Sequence, residues 1–569
     1  MYRGGTVAEL RDGEGKGIAA IVAAYLAVLN GRRVHVVTLD AHLARRDFFR
    51  GRAALACLGI SVGLLDGVGD ESNGAAGGPG AQVVYGPFFE FVSRYLEENI
   101  AAVAGQGIQD GQVLAIADEA DTILVDEARC LVQIIAAGDA MQGQPRRIIR
   151  HGVPDCAESD DPAPDGRLLA ECRVRDYFRG YERIAGLTAT AAPAAARFSY
   201  FYGLDLVKVA ASSPDTRKDS DDLYYVGAAR MLADLEVRVS SLHDRGRPVV
   251  LYSVRADMGQ ALSRRLAGRR IEHAVLGPSD DPAQIMAGIG QRGAVTILVG
   301  GAGRGYAVSL GDRAVAAAGG LFVFGVLQSG SARADTWARE LAGRCGEPGE
   351  SQFLHSSEEY SIVSKGGRLS SMESRRNGAP IRLDKSLRGR FFRIAVDDMY
   401  RRSEEYSFSV QRAMARYEDL AAQYRKSAYT LRKAILVGVG ADELSRWTED
   451  LEDSDSAIMK DVRAAYVRKV QEIGPDAMRN IARGKGVDAF DSVWTEYLAA
   501  QGDLLGGVST DLSQIDKDFS DVRNRVQGKF DEAMRRVKQE VIAALINLLT
   551  QICALLSRIC SAIYPAHPV

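Results

Sequence analysis

The sequence predicts an α/β half followed by an all-α half, and three observations carry that division. An apolar run at 113–117 leads straight into Asp118-Glu119-Ala120-Asp121, the pattern of a buried strand that ends in adjacent carboxylates. A second series of short apolar runs, separated by glycine turns, fills about 224–359. From Arg390 to Val437 there is then neither glycine nor proline, a stretch of about 70 Å if it forms one helix. A helix that long needs neighbours on several sides or must connect domains.

At the start, residues 4–11 (GGTVAELR) read as a short strand, and Gly13-Glu14-Gly15-Lys16-Gly17 as the turn into a helix over 18–29. Glycines let backbone N–H groups close on a phosphate, the helix N-terminus favours its charge, and Lys16 would neutralise it. The hydroxyl residue expected after the lysine to ligate magnesium is replaced by Gly17, so weaker metal binding is expected. A second strand spans 33–39 and is followed by Asp40-Ala41-His42-Leu43-Ala44-Arg45-Arg46-Asp47. The glycine-rich piece at 66–80 is a surface loop without phosphate-cradle spacing, and Tyr85-Gly86-Pro87 turns into a helix ending near Asn99.

The acidic tetrad comes next. Acidic clusters at strand ends are commonly just solvated, but placed after a lysine-bearing turn they suit a metal-binding Asp118 beside a water-orienting Glu119. Residues 137–173 show no sustained period and read as a linker or small insertion. A helix starts at Asp176, and 185–190 is a strand-end turn whose small hydroxyls suit either a relay between motifs or an ordinary turn. The second α/β unit has strands at 248–252, 273–276, 294–299 and 320–325, with Arg304 and Arg344 in glycine turns. These arginines are either surface residues or the groups that meet a phosphate across an interdomain cleft. Beyond 437, helices are expected at 488–500, 512–527 and 529–564, with a loop at 502–510.

Composition narrows the classes. The 569 residues are 46% hydrophobic and 25% charged, enough for several packed domains. A net charge of −3 provides no global basic field, and no nucleic-acid partner is expected. The seven cysteines form no CxxC pair, so neither a zinc knuckle nor a disulfide framework is indicated. The N-terminus lacks the apolar core of a signal peptide, which makes a cytosolic location the default expectation. The apolar stretch 541–564 is interrupted by Asn547, Thr550, Gln551, Ser557, Arg558 and Ser561 at roughly helical spacing. Three readings stand for it: a helix packed on protein, a membrane-surface contact, or a span.

Several segments resemble SecA, the motor ATPase family of bacterial preprotein translocation. AELRDGEGKG resembles the family's AEMKTGEGKT, VHVVTLDAHLARRD its VHVVTVNDYLARRD, and ADEADTILVDEAR its VDEVDSILIDEAR. YFRGYERIAGLTATA resembles YFRMYEKLAGMTGTA, and GAVTILVGGAGRGYAVSLG resembles GAVTIATNMAGRGTDIKLG. Residues 416–429 look like the long scaffold helix, and DAFDSVWTEYLAAQGDLLGGV like the two-helix finger. The segments run in family order from Ala8 to about Ile542.

What the resemblance implies is two RecA-like nucleotide-binding domains with a long-helix scaffold and a two-helix finger, using ATP and magnesium. Their partners would be the SecYEG channel, unfolded preproteins, the membrane surface and another chain of the same type. The place of work would be the cytoplasm, peripherally on the inner face of the cell membrane. Carried onto this chain, Gly13, Glu14, Gly15, Lys16 and Gly17 would hold phosphates, Asp118 the metal and Glu119 the attacking water. Arg304 and Arg344 would stabilise transferred charge, and Gly502, Asp503, Leu504 and Leu505 would meet the polypeptide or the channel.

The same likeness divides the chain into a first nucleotide-binding domain, 1–134 and 174–212, interrupted by a short insertion at 135–173 in place of the preprotein-binding domain. A second nucleotide-binding domain (213–362) follows, then the scaffold helix (386–437), a reduced wing (438–486), the finger region (487–540) and an apolar C-terminal helix (541–569).

Departures accompany the likeness. The sequence opens just before the phosphate turn, so the family's adenine-reading segment and N-terminal helix are expected upstream of Met1 or on another chain. Tyr306 and Ala307 stand where the family has Thr-Asp, Ala342 replaces one arginine, and Glu347 lies where another would follow. The zinc-binding tail is replaced by the apolar helix. Three functions remain in view: a stripped-down translocase ATPase, a degenerate relative that scaffolds or regulates, and a nucleic-acid helicase.

Overall fold

The computed structural model describes residues 4–65, 81–101, 108–109, 111, 113–136, 146–151, 166–211, 214, 216–277, 280–326, 331–358, 380–383, 386–437, 468, 471, 474–506, 508 and 512–563. The glycine-rich loop at 66–80 and most of the expected wing lie outside them. In chain order the strands are β1 (Thr6–Glu9), β2 (Arg33–Thr38), β3 (Val62–Leu64), β4 (Val83–Pro87) and β5 (Val113–Asp118). They continue as β6 (Leu131–Ala136), β7 (Arg146–His151), β8 (Arg167–Arg173), β9 (Arg183–Thr188) and β10 (Asp205–Lys208). Seven of these form one sheet in the order β10-β1-β9-β5-β2-β4-β3, and every pairing in it is parallel.

A parallel sheet is covered on both faces, so its central strands are apolar throughout rather than alternating. The run VLAIA satisfies that requirement, and VHVVT does so except at His35 and Thr38, whose buried polar groups find partners in the Tyr181 hydroxyl at 2.8 Å and the Asp40 carbonyl at 3.0 Å. Against one face lies the helix Lys16–Leu29, which carries no charge after its first residue. Helix Ala41–Ala56 crosses close to β4: a methyl added to Gly51 would lie 2.2 Å from the Tyr85 hydroxyl oxygen. Tyr85 is 1% exposed and cannot swing away. Gly51→Ala is therefore expected to destabilise the chain by about 1–3 kcal/mol through overpacking. The helix-propensity gain of up to about 1 kcal/mol does not offset this, and a lowered urea midpoint checks the prediction.

The second lobe comprises β11 (Arg217–Asp219), β12 (Leu223–Tyr225), β13 (Val249–Ser253), β14 (Ala274–Leu276), β15 (Val295–Val299), β16 (Leu321–Val326), β17 (Gly349–Ser356) and β18 (Ile381–Arg382). Its order is β14-β15-β13-β16-β17-β12-β18, with β11 also on β17. All of its pairs are parallel except the edge pair β12–β18. Both lobes are RecA-like; the strands legible in the sequence include the central β2, β5, β13, β15 and β16 and the edge strand β14.

The stretch 137–173, which shows no period in the sequence, supplies two strands. β7 and β8 flank β6 in an antiparallel sheet. Each is short, and their alternation acquires meaning only against β6.

Among the described residues, three helices follow the lobes: Leu387–Val437, Pro475–Gly506 and Leu512–Ile563. Two departures from the sequence reading are corrected here. Gly528 does not divide the last helix: a methyl there would meet nothing within 4 Å, so this glycine is merely surface in a continuous helix. The expected loop at 502–510 is shorter, because the helix before it runs to Gly506. That helix packs closely on the long one, where a methyl on Gly486 would approach Ile435 Cγ2 to 2.8 Å.

Aromatic groups fasten this half to the first lobe. Tyr429 of the long helix meets Tyr95 of the first lobe edge-on at 6.4 Å, within one core that also holds Trp494, Tyr497, Phe530, Phe178 and Leu96. Arg432, 2% exposed, reaches Asp491 at 2.7 Å and 3.0 Å and the carbonyls of Ile100 and Ala101 at 3.1 Å and 2.9 Å. It thereby joins the long helix, the finger and the end of helix Phe88–Ile100. Among the described residues no helix is long and apolar enough to cross a membrane. Side chains beyond 544 lie outside the described residues, so the three readings of 541–564 are not separated here.

Candidate functional site

The C-terminal ends of β1, β5 and β9 open onto a cleft faced by the second lobe. Gly13 and Gly15 have φ of 88° and 86°, a conformation that strongly favours glycine. Gly15 caps helix Lys16–Leu29, and Lys16 is its first residue. The Lys16 ammonium reaches Asp12 Oδ1 at 2.6 Å and also contacts Glu119 Oε1. Burial works to neutralise this lysine, but Asp12, Glu119 and Asp118 raise it further than burial lowers it, so it is held charged. Methyls added to Gly15 or Gly17 would face open space.

Glu119 is 3% exposed and sits at φ 59°, rare outside glycine and costly by about 1–2 kcal/mol. Burial pushes its carboxyl up to about 7. Lys16 opposes the shift, while Asp12, Asp118 and Asp121 add to it. Asp118, half-buried at the strand end, is also raised, first by burial and against the pull of Lys16. Groups perturbed this far, gathered in one cleft, mark a functional-site candidate.

From the opposite lobe, Arg344 binds Asp12 Oδ2, donates to the Tyr306 carbonyl at 2.8 Å and to the Glu340 carbonyl at 2.9 Å. The next residue, Cys345, is pressed against the phosphate-type turn: a methyl on Gly13 would come within 2.4 Å of its sulfur. The open cleft beside this contact is lined by Arg11, Glu14, Arg217 and Glu340.

Arg304 donates to Asp121 Oδ2 at 2.8 Å and to the Thr122 hydroxyl, and lies over the Trp337 ring at 5.3 Å. Asp121 accepts from Thr188 at 2.6 Å and Thr190 at 2.7 Å. Burial alone would raise this carboxyl, but Arg304, Arg333 and the two hydroxyls bring it to about 2. Arg333 also pairs with Asp126 at 2.5 Å. The hydroxyls at 188 and 190 are thus linked through Asp121 to Arg304 of the second lobe.

Tyr306 has a connecting role. Its hydroxyl donates to Asp40 Oδ2 at 3.0 Å, its ring stacks on His42 at 5.6 Å, and Arg46 donates to the neighbouring Gly305 carbonyl at 2.9 Å. Asp40 simultaneously caps helix Ala41–Ala56 through Leu43 N at 2.8 Å. Leu43 is buried within the second lobe's own core, so the two lobes share packing as well as charge.

The structure therefore brings Gly13, Lys16, Asp118, Glu119, Arg304 and Arg344 to one cleft, with Glu14 lining it and Gly17 open beside it. Gly502 and Asp503 are exposed far along the finger helix, while Leu504 and Leu505 are half-buried against a cluster containing Tyr417 and Ile515. Sequence reasoning missed Asp12, Asp40 and Arg333. A signal for Asp12 existed, since it occupies the place of a threonine in the resembled AEMKTGEGKT. Arg333 carried none.

Comparison with known proteins gives each lobe a family domain. The SecA DEAD-like domain matches residues 1–199 and the SecA P-loop domain residues 214–315, one on each lobe. Protein translocase subunit SecA of Nitratidesulfovibrio vulgaris (strain DP4) is 27% identical, covering 96% of this chain and 82% of that protein. SecA of a Nitratiruptor species is 23% identical over 95% of this chain and 79% of its own length. SecA 1 of Mycolicibacterium smegmatis is 25% identical over 96% and 77%. Among solved structures, S. cerevisiae Dbp5 bound to RNA and ADP BeF3 aligns at 14% identity and a TM-score of 0.40, covering 63% of this chain and 82% of that one. With two SecA domains in sequence over the two lobes, and SecA subunits aligned along nearly its whole length, the chain belongs to the SecA family.

Proposed function

We propose that this chain is a protein translocase subunit that binds ATP and magnesium between its lobes. Hydrolysis there would drive unfolded preproteins through a SecYEG-type channel at the inner face of the cell membrane. The observation that supports it best is the meeting of the Lys16 turn with Arg344 and Arg304 across one cleft. The residues fit a phosphate: two positive-φ glycines, a helix N-terminus and open space beside Gly15 and Gly17 form a cradle.

In this reading Lys16 holds the terminal phosphates, Asp118 the magnesium, and Glu119 orients the attacking water and takes its proton. Magnesium, when bound, supplies charge neutralisation at the phosphoryl oxygens. Arg304 and Arg344 place guanidinium charge where it accumulates during transfer. Gly502 to Leu505, at the end of the finger helix, contact the polypeptide or channel. A second chain of the same type and the membrane surface are further partners.

A specific observation favours a second reading, a scaffold or regulator with weak turnover. Gly17 lacks the hydroxyl that would complete the metal's ligands, and Asp12 already engages two of the cations. The helicase reading rests on a shared fold alone. The deciding experiment is magnesium-dependent ATP hydrolysis, with and without unfolded polypeptide, by wild type and Gly17→Thr. Turnover that rises at least tenfold on Gly17→Thr and is stimulated by polypeptide supports the motor. Turnover at the Glu119→Gln background in both proteins rejects it.

A further inference from the structure

In the phosphate-type turn, Asp12 has no part in the chemistry proposed above. It lies four residues before Lys16, with its side chain 9% exposed, and its two oxygens face two different cations. Oδ1 accepts from Lys16 at 2.6 Å, and Oδ2 pairs with Arg344 of the other lobe. Burial alone would raise its carboxyl, yet Arg344 and Lys16 hold it well below the usual carboxylate range, so it is an anion in use. A bidentate oxyanion between a lysine and an arginine has the chemistry of a phosphate oxygen pair.

We infer that Asp12 is an affinity-setting residue of the cleft, a built-in anion that any polyphosphate must displace before it can bridge Lys16 and Arg344. The inference rests on the reading of the cleft as a phosphate site. It adds that the chain's own carboxylate competes for that site and bridges the lobes until displaced. Two groups of negative charge cannot share the space between these cations at low cost, because like charges a few ångströms apart in a buried site repel strongly. Only a ligand of higher charge, or one carrying its own divalent cation, wins the exchange. A nucleoside triphosphate or pyrophosphate with magnesium meets both conditions, whereas a nucleoside monophosphate, at about −1.5 to −2 and without a cation of its own, meets only the first.

Three proteins test this: the intact chain, Asp12→Thr and the nearly isosteric Asp12→Asn, with magnesium–ATP and magnesium–pyrophosphate as calorimetric probes. Both substitutions are expected to lower Kd by at least about tenfold for each probe. They also remove the bridge, so amide exchange without any ligand is expected to rise at residues 11–16 and 342–347 together. Measurable binding by wild type with unchanged or weaker binding by both variants overturns the inference and leaves the phosphate reading standing. Binding by the variants alone supports it strongly. No heat from any of the three removes the phosphate reading and the inference with it. Exchange that rises in neither segment overturns the bridge.

Discussion

Asp121→Ala is expected to destabilise the chain by about 3–5 kcal/mol, because it strips the shared partner from two buried guanidinium groups at once. Asp121 is 0% exposed, Arg304 is 4% and Arg333 is 5%. Both arginines come from the second lobe and the carboxylate from the first, so the loss falls on the contact between lobes. Asp121→Asn keeps an acceptor for the two threonine hydroxyls but not the charge, and is expected to cost less. The pH dependence has a fixed sign. The carboxyl lies at about 2 in the folded chain, against 3.8 ordinarily. Its contribution, on the order of 2 kcal/mol, is therefore complete above pH 4 and is lost as pH falls toward 2. Urea titrations of wild type and Asp121→Asn at pH 6 and pH 3 check this: the gap between the two proteins should narrow at the lower pH.

Glu119→Gln is expected to reduce ATP turnover by about 10²–10⁴-fold, the usual contribution of a positioned general base. Nucleotide affinity should hold or tighten, because the neutral amide no longer pairs with the Lys16 ammonium. Burial raises this carboxyl to about 7, and its protonated form cannot accept a proton. For the wild-type chain kcat/KM should accordingly climb as pH passes through about 7 and level off above it. A Glu119→Gln protein with turnover equal to wild type would remove Glu119 from the chemistry. A profile flat between pH 6 and 8 would show that its ionisation does not govern the rate.

Strands such as β2, β5, β13, β15 and β16 were readable because a sheet covered on two faces favours near-continuous apolar runs, whereas β17, equally interior, went unread because its run QFLHS mixes polar with apolar residues. The Lys16 turn was readable for a related reason: glycine, lysine and a helix start are local requirements of holding an anion. Asp12 was not, because its significance depends on Arg344, which folding brings from 332 positions away. Asp121 stood in plain view within the tetrad, yet nothing nearby reveals that Arg304 and Arg333 converge on it. β7 and β8 went unseen since six or seven residues of mixed polarity form a strand only beside a partner. At Gly528 the local signal pointed the wrong way. One glycine costs a helix about 1 kcal/mol, far less than the packing of the 52-residue helix that contains it.

Arg432 has a mechanical corollary. Its guanidinium is shared among a carboxylate on the finger and two carbonyls at the edge of the first lobe. Turning the long helix about its own axis by a single residue step, about 100°, would tear it from all of these acceptors together. The long rod consequently behaves as an axle keyed to its bearing rather than one free to spin. Any motion passed along this rod would arrive at its far end as a tilt of helix and lobe edge together rather than as a twist.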